Sequence, residues 1–281
     1  MKQQVILTIA GLLVLFSLFF FGRIESQKSV FPHTELHKTE SFNITDSIQR
    51  AKQNLPSGQL LYITDLENSI KRGDVKQQSH NNYIHLANFW KDSVKAFLPY
   101  AYYLSEASKL DNSEKSLTFA ARLILDSMRR EENNLIKAWE AETAIVLFEK
   151  AIELDPDNND LKVGLGSCYV YGKGMAGNAE ETMKGIQQLL TVVGKDSNNM
   201  KAQMVLGIGG VISRQYEKAI TRLNKVVAAE PGNLEAISWL ADVYAETGDK
   251  VNAVKWYNYS KKLVNNPEYS KEVDLRIKAL Q

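Results

Sequence analysis

MVLGIGGVISRQYEKAITRLNKVVAAEPGNLEAISWLADVYAETGDKVNAVKWYNYSKKLVNN, residues 204–266, fits on itself when displaced by 34 residues. Leu206-Gly207 falls on Leu240-Ala241, Ala219 on Ala253, Leu223 on Tyr257 and Pro231 on Asn265. Within each copy a small residue comes first, a second small residue follows 12 positions later, and a turn residue 12 after that. Self-similarity at a period of this length marks stacked units, each too small to bury its apolar face alone. No segment of the chain alternates with period two for long, so the units are helical and strands are not expected.

The pattern extends upstream. Leu165-Gly166 and Tyr169 open an earlier unit, and Gly185, Leu189 and Ser197 close it. Its two helices are expected to be separated by a seven-residue insertion around GKGMAGN, residues 172–178. Before it, AIVLFEKAIELDP carries Ala144, Phe148, Ala151 and Pro156 at the spacing of a complete second helix. These residues resemble the tetratricopeptide repeat family, whose W-x₂-L-G-x₂-Y…A-x₃-F…P pattern they match piecewise. Departures are visible: Lys162, Gln203 and Ile237 occupy the usual tryptophan position, and Gly210 stands where one first-helix tyrosine is expected. The residue types have a physical reason. Small residues (Gly166, Gly207, Ala241 against Gly185, Ala219, Ala253) let paired backbones approach, while Tyr169, Tyr244, Phe148 and Tyr257 fill the larger spaces. Proline stops the second helix because it cannot continue one.

The expected fold is therefore all-α: a right-handed superhelical solenoid of about five antiparallel hairpins. Residues 43–138 read as degenerate hairpins, 139–265 as the better-formed repeats and 266–281 as a capping helix. In the last segment Asn266 precedes Pro267, a good start signal, and Tyr269, Val273, Ile277 and Leu280 form one apolar stripe.

At the other end, residues 5–22 (VILTIAGLLVLFSLFFFG) contain no charge over 18 positions. At the helical rise they reach roughly 27 Å, close to the thickness of a bilayer's hydrocarbon core. Phe20 and Gly22 stand where a signal-peptidase site wants small residues, so residues 1–23 read as an uncleaved transmembrane anchor. Residues 24–42 are polar, contain Pro32 and read as a spacer. The flanking charges are nearly balanced. The short charged start favours a periplasmic body, and a cytoplasmic one stays open.

Composition excludes several functions. The 281 residues carry 34 basic and 33 acidic side chains, a net charge of +1, so no field steers nucleic acid. The single cysteine, Cys168, permits no internal disulfide and reads as an inert buried thiol. His33 and His37 stand four apart but beside Pro32 and without a third ligand, and His80 and His85 do not share a helix face, so no metal site is expected. GKGMAGN lacks the lysine and hydroxyl that follow the last glycine of a phosphate loop, and LGIGGV lacks the third glycine of a dinucleotide fingerprint. No catalytic constellation, cofactor or small-molecule substrate is expected, and the chain reads as non-enzymatic.

What remains is binding. The resemblance implies that first helices of successive units line a concave groove for a partner protein. Position by position it implicates Asp160, Val163, Ser167, Val170 and Tyr171, then Lys201, Met204, Ile208, Val211 and Ile212, then Glu235, Ser238, Asp242, Ala245 and Glu246. Val163, Tyr171, Met204, Ile208, Val211 and Ile212 are the expected contacts. Met204, Ile208, Val211 and Ile212 should form a partly exposed apolar stripe for an apolar or amphipathic segment. The implied role is a membrane-tethered interaction scaffold of a bacterial-type envelope. The alternative is an accessory subunit of an envelope enzyme or assembly system, of the cytochrome-maturation or secretion type.

Overall fold

The structure, a computed structural model, describes residues 42–72 and 76–280, all within one compact unit spanning Ser41–Gln281. Among them are thirteen α-helices and no strand. Two helices, α1 (Ile44–Lys52) and α2 (Ser57–Arg72), precede the first hairpin. Five hairpins follow: α3 (Lys76–Asn88) with α4 (Phe97–Asp111), α5 (Glu114–Met128) with α6 (Asn134–Leu154), α7 (Asn159–Ser167) with α8 (Ala179–Lys195), α9 (Met200–Ile212) with α10 (Tyr216–Ala229), and α11 (Leu234–Glu246) with α12 (Lys250–Val264). Helix α13 (Pro267–Ala279) closes the array. Helices α3 and α7 each continue into a π-helical segment, Phe89–Val94 and Cys168–Gly174. The first helices α5, α7, α9 and α11 touch one another in order and form one layer.

Asparagine starts most of these helices. Asn133, Asn158, Asn178, Asn199, Asn233 and Asn266 each accept from backbone N–H groups of the first turn that have no partner inside the helix. The turns within the last three hairpins share one geometry. Gly177, Arg214 and Gly248, each just before the second helix, have φ of 82°, 57° and 77°. The next residue's N–H then reaches back five positions, Asn178 to Lys173 O at 3.2 Å, Gln215 to Gly210 O at 2.7 Å and Asp249 to Tyr244 O at 2.9 Å. Glycine takes that left-handed conformation freely, whereas Arg214 adopts it with a Cβ in the way.

Small residues close the hairpins as their spacing predicts. A Cβ built on Gly185 would lie 2.5 Å from the Tyr169 Cβ and 2.9 Å from the Gly166 carbonyl oxygen, and one on Gly207 would lie 2.9 Å from Leu223. The insertion is placed differently from the sequence expectation. Rather than forming a long loop, its seven extra residues lengthen the first helix through the π-helical segment, add one residue to the turn, and add three to the start of α8. Helices satisfy their own backbone hydrogen bonds, so extra residues next to a core are best accommodated there.

The core runs along the stack. Trp90, Leu117, Ile124, Leu147, Phe148 and Leu161 pack in its first half, and Leu189, Leu206, Ile208, Leu223, Ile237 and Leu240 in its second. Half-buried Leu125 packs against both. At the end Tyr269, Val273, Ile277 and Leu280 of the last helix and its C-terminus cover Ala241, Ala253 and Tyr257. The expected anchor and the spacer up to residue 41, with His33 and His37, lie outside the described residues. Among the described residues no helix is long and apolar enough to cross a membrane.

Candidate functional site

The layer of first helices encloses a cavity of about 340 Å³. Helix α5 and the residue after it contribute Arg122, Leu125, Asp126 and Arg129; α7 and its extension contribute Asp160, Val163, Ser167 and Tyr171. Met200, Lys201 and Met204 of α9 and Glu235 of α11 line it too, with Phe148 of α6 and Glu230 after α10 among the rest of the wall. A second cavity of about 550 Å³ is lined by Arg130, Lys137, Met175 and Trp239, and shares Asp126, Arg129, Tyr171 and Glu235 with the first.

Those shared residues form the wall between the two cavities. The Arg129 guanidinium lies 4.9 Å from the centre of the Tyr171 ring and pairs with Glu235 Oε2. Tyr171 Oη donates to Glu235 Oε1 at 2.8 Å. The three side chains come from the second, third and fifth hairpins, 106 residues apart at the extremes, and so span the groove. Burial and the adjacent Glu235 carboxylate hold the Tyr171 hydroxyl far above its ordinary range, so it stays a donor. Burial works against the Arg129 charge, but Tyr171 and Glu235 outweigh it and the guanidinium is held above its usual value. At the groove's edge Arg122 Nη2 lies 3.4 Å from Asp160 Oδ2.

The expected contacts divide. Val163, Tyr171 and Met204 line the first cavity, as do Asp160, Ser167, Lys201 and Glu235. The expected exposed stripe on α9 is corrected: Ile208 is fully buried and Met204 is 6% exposed. Val211 and Ile212 are half-buried and line neither groove cavity. The reason is packing. Gly209 lies against Ile186 and Val170 of the preceding unit, so α9 is held on one side by α10 and on another by the third hairpin. Its apolar residues are core. Val170 is fully buried as well. Arg129, outside the repeat pattern, was not legible as a groove residue, because no spacing rule connects it with Glu235.

Elsewhere the chemistry is quiet. Cys168 is fully buried and its thiol is pushed up by burial. Among the described residues no cluster of three or more His, Cys, Asp or Glu side chains could hold a metal. One buried carboxyl stands out: Glu140 of α6 is fully buried, accepts from Ser127 Oγ at 2.7 Å, and has no partner for Oε2 among the described residues. Burial pushes it up to about 7.

An array of helical hairpins whose first helices share a groove defines a helical-repeat solenoid. Residues 211–271 match the family profile described as tetratricopeptide repeat. Those residues, from the end of α9 into α13, therefore carry tetratricopeptide-repeat sequence within an array of helical hairpins. No curated protein matches it. Among solved structures it is similar to TTC0263, a thermophilic TPR protein of Thermus thermophilus, at 15% identity and a TM-score of 0.51, covering 72% of this chain and 98% of that one. MamA 41-end from Desulfovibrio magneticus RS-1 aligns at 16% identity and a TM-score of 0.48, covering 66% and 95%. YrrB, described as a TPR protein with an unusual peptide-binding site, aligns at 18% identity and 0.45, covering 69% and 90%.

Proposed function

We propose that the protein is a non-catalytic scaffold that receives an amphipathic segment of a partner protein in the groove of its first helices. The observation that carries this reading is the lining of the 340 Å³ cavity, where Leu125, Val163 and Met204 lie beside Arg122, Asp160 and Lys201. Apolar walls give a helix or extended segment its buried anchors, and the charged edge fixes orientation. The wholly apolar stripe expected on α9 is taken up by the core, so an amphipathic segment fits better than an apolar one. The charge-free residues 5–22 support a membrane tether, with the body on the periplasmic side.

Site-specific photo-crosslinking in cells tests the groove. A crosslinker at Lys201 or Arg122 should capture a discrete partner, whereas one at Gln187, exposed on α8, should not. Equal capture from both faces would refute the groove. Alkaline extraction tests the tether: the full chain should stay with the membrane, and release by alkali would refute it.

A further inference from the structure

The second helices α10 and α12 carry a surface of a different kind, which the groove reading leaves unused. On α10, Lys218, Arg222 and Lys225 follow at intervals of four and three residues and share one face. Lys218 donates to Gln215 Oε1 at 2.9 Å, Arg222 to Gln203 Oε1 at 2.6 Å and Lys225 to the Ser197 carbonyl at 2.6 Å. They line a cavity of about 450 Å³ together with Glu217, the single acid there. On α12 the sequence KVNAVKWYNYSKKLV has four lysines and no acid. Among the described residues only Lys261 of these seven cations has a carboxylate partner, Asp274.

Aromatic rings interleave with the charge. Trp256 and Tyr259 meet edge to face with centroids 5.8 Å apart, and the Lys255 ammonium lies 5.2 Å from the Trp256 ring centre. Both rings line a cavity of about 320 Å³ with Lys255 and Lys262 at its rim. On the same helix Val251 is 81% exposed and Leu263 is 40% exposed.

We propose that this outer face docks on an anionic lipid bilayer. Trp and Tyr are amphipathic and favour the headgroup level, where their rings are dry and their polar atoms wet. Long-stemmed lysines lay their methylenes along the rings and carry the ammonium to the phosphates. A protein partner would need fixed carboxylates in register with cations spread over two helices. A bilayer presents a fluid array of phosphates that needs no register, and each cation near such a surface raises partitioning about fivefold. The exposed Val251 and Leu263 add apolar contact. The proposal does not depend on what the groove binds.

The test uses the full chain with Asn258→Cys carrying a fluorophore, Cys168 being buried and unreactive. Vesicles of phosphatidylcholine, with or without phosphatidylglycerol, contain spin-labelled lipid as quencher. Because residues 5–22 can insert in either, the readout is quenching per bound molecule and not binding. Quenching should be several-fold greater with phosphatidylglycerol, fall as salt is raised, and disappear in Lys218→Glu/Lys255→Glu/Lys262→Glu, whose side chains are exposed and whose circular-dichroism melting should be unchanged. Equal quenching in both vesicle types, or quenching insensitive to salt, would overturn the proposal. So would protection of the label by soluble polyglutamate with no lipid response, which would assign the face to an acidic protein segment.

Discussion

Replacing Glu140 by glutamine should stabilise the protein in alkali and leave it unchanged in acid. The carboxyl is enclosed between α5 and α6 with one hydrogen bond, from Ser127, and Oε2 unpartnered among the described residues. Burial is the main reason its pKa rises from 4.5 to about 7; Ser127 opposes the rise, Glu131 adds to it and Lys137 lowers it. The folded state therefore holds a proton that the unfolded chain has already released. From about pH 4.5 upward stability falls, because the unfolded state binds fewer protons, and it levels off above about pH 7 once both states are ionised. At 1.36 kcal/mol per unit the accumulated loss is roughly 3 kcal/mol. A glutamine at this position would keep the shape of the neutral acid, can still accept from Ser127, and has no proton to lose.

Urea denaturation of both proteins from about pH 5 to about pH 8 isolates this group, since every other titration cancels in the difference. The variant should lead by under about 1 kcal/mol near pH 5 and by roughly 3 kcal/mol near pH 8, or several degrees in Tm. Curves that stay parallel across that range would refute the reasoning, because the carboxyl would then be ionised in the fold at no cost. Ser127→Ala should widen the difference, since the hydroxyl is the largest influence holding the pKa down.

Particular contacts fix three further outcomes. Arg214→Gly with Gln215→Asp should stabilise by roughly 1–3 kcal/mol in thermal melts, relieving a left-handed non-glycine residue and supplying the cap that Gln215 lacks but Asp249 provides in the next hairpin; a lower Tm would mean the turn is not shared. Gly185→Ala should destabilise by roughly 1–3 kcal/mol, whereas Gly194→Ala, in the same helix with nothing within 4 Å of the new Cβ, should stabilise by roughly 0.5–1 kcal/mol; equal effects would refute the close contact. Met204→Glu with Ile208→Glu should unfold the array by circular dichroism, both side chains being buried, while Lys201→Glu on the same helix should leave melting within about 0.5 kcal/mol.

The hairpins were readable because each is a local event repeated. The 34-residue shift aligns Gly207 with Ala241 and Ala219 with Ala253, and inside the hairpins Gly207 lies against Ala219 while Ala241 and Ala253 share one cluster. The asparagine caps obey an equally local rule. Which side of a first helix faces the groove is not local. It depends on how the neighbouring hairpin packs, so Met204 and Ile208 carried a helical stripe that the third hairpin covers as core. The Arg129–Glu235 pair joins residues 106 positions apart, a distance at which charge pattern carries no register.

Tyr171 shows why the repeat register fails at the site itself. By alignment it corresponds to Ile212, and the repeat register places both in the groove. Ile212 ends a regular helix and lies outside the cavities, whereas Tyr171 lines both. Between Cys168 and Gly174 the third hairpin's first helix is π-helical, and Met175 N–H reaches Val170 O at 3.3 Å across five residues. A π-helical ladder winds more slowly per residue than an α-helical one, so residues from Cys168 onward are rotated relative to their counterparts in a regular helix. That rotation separates the orientation of Tyr171 from that of Ile212 and brings its ring under Arg129 and its hydroxyl onto Glu235. Gly172 then passes Ala141 so closely that a Cβ would lie 2.4 Å from the alanine methyl. The segment that reads as the start of a loop instead continues the helix that carries Tyr171 to the wall dividing the groove.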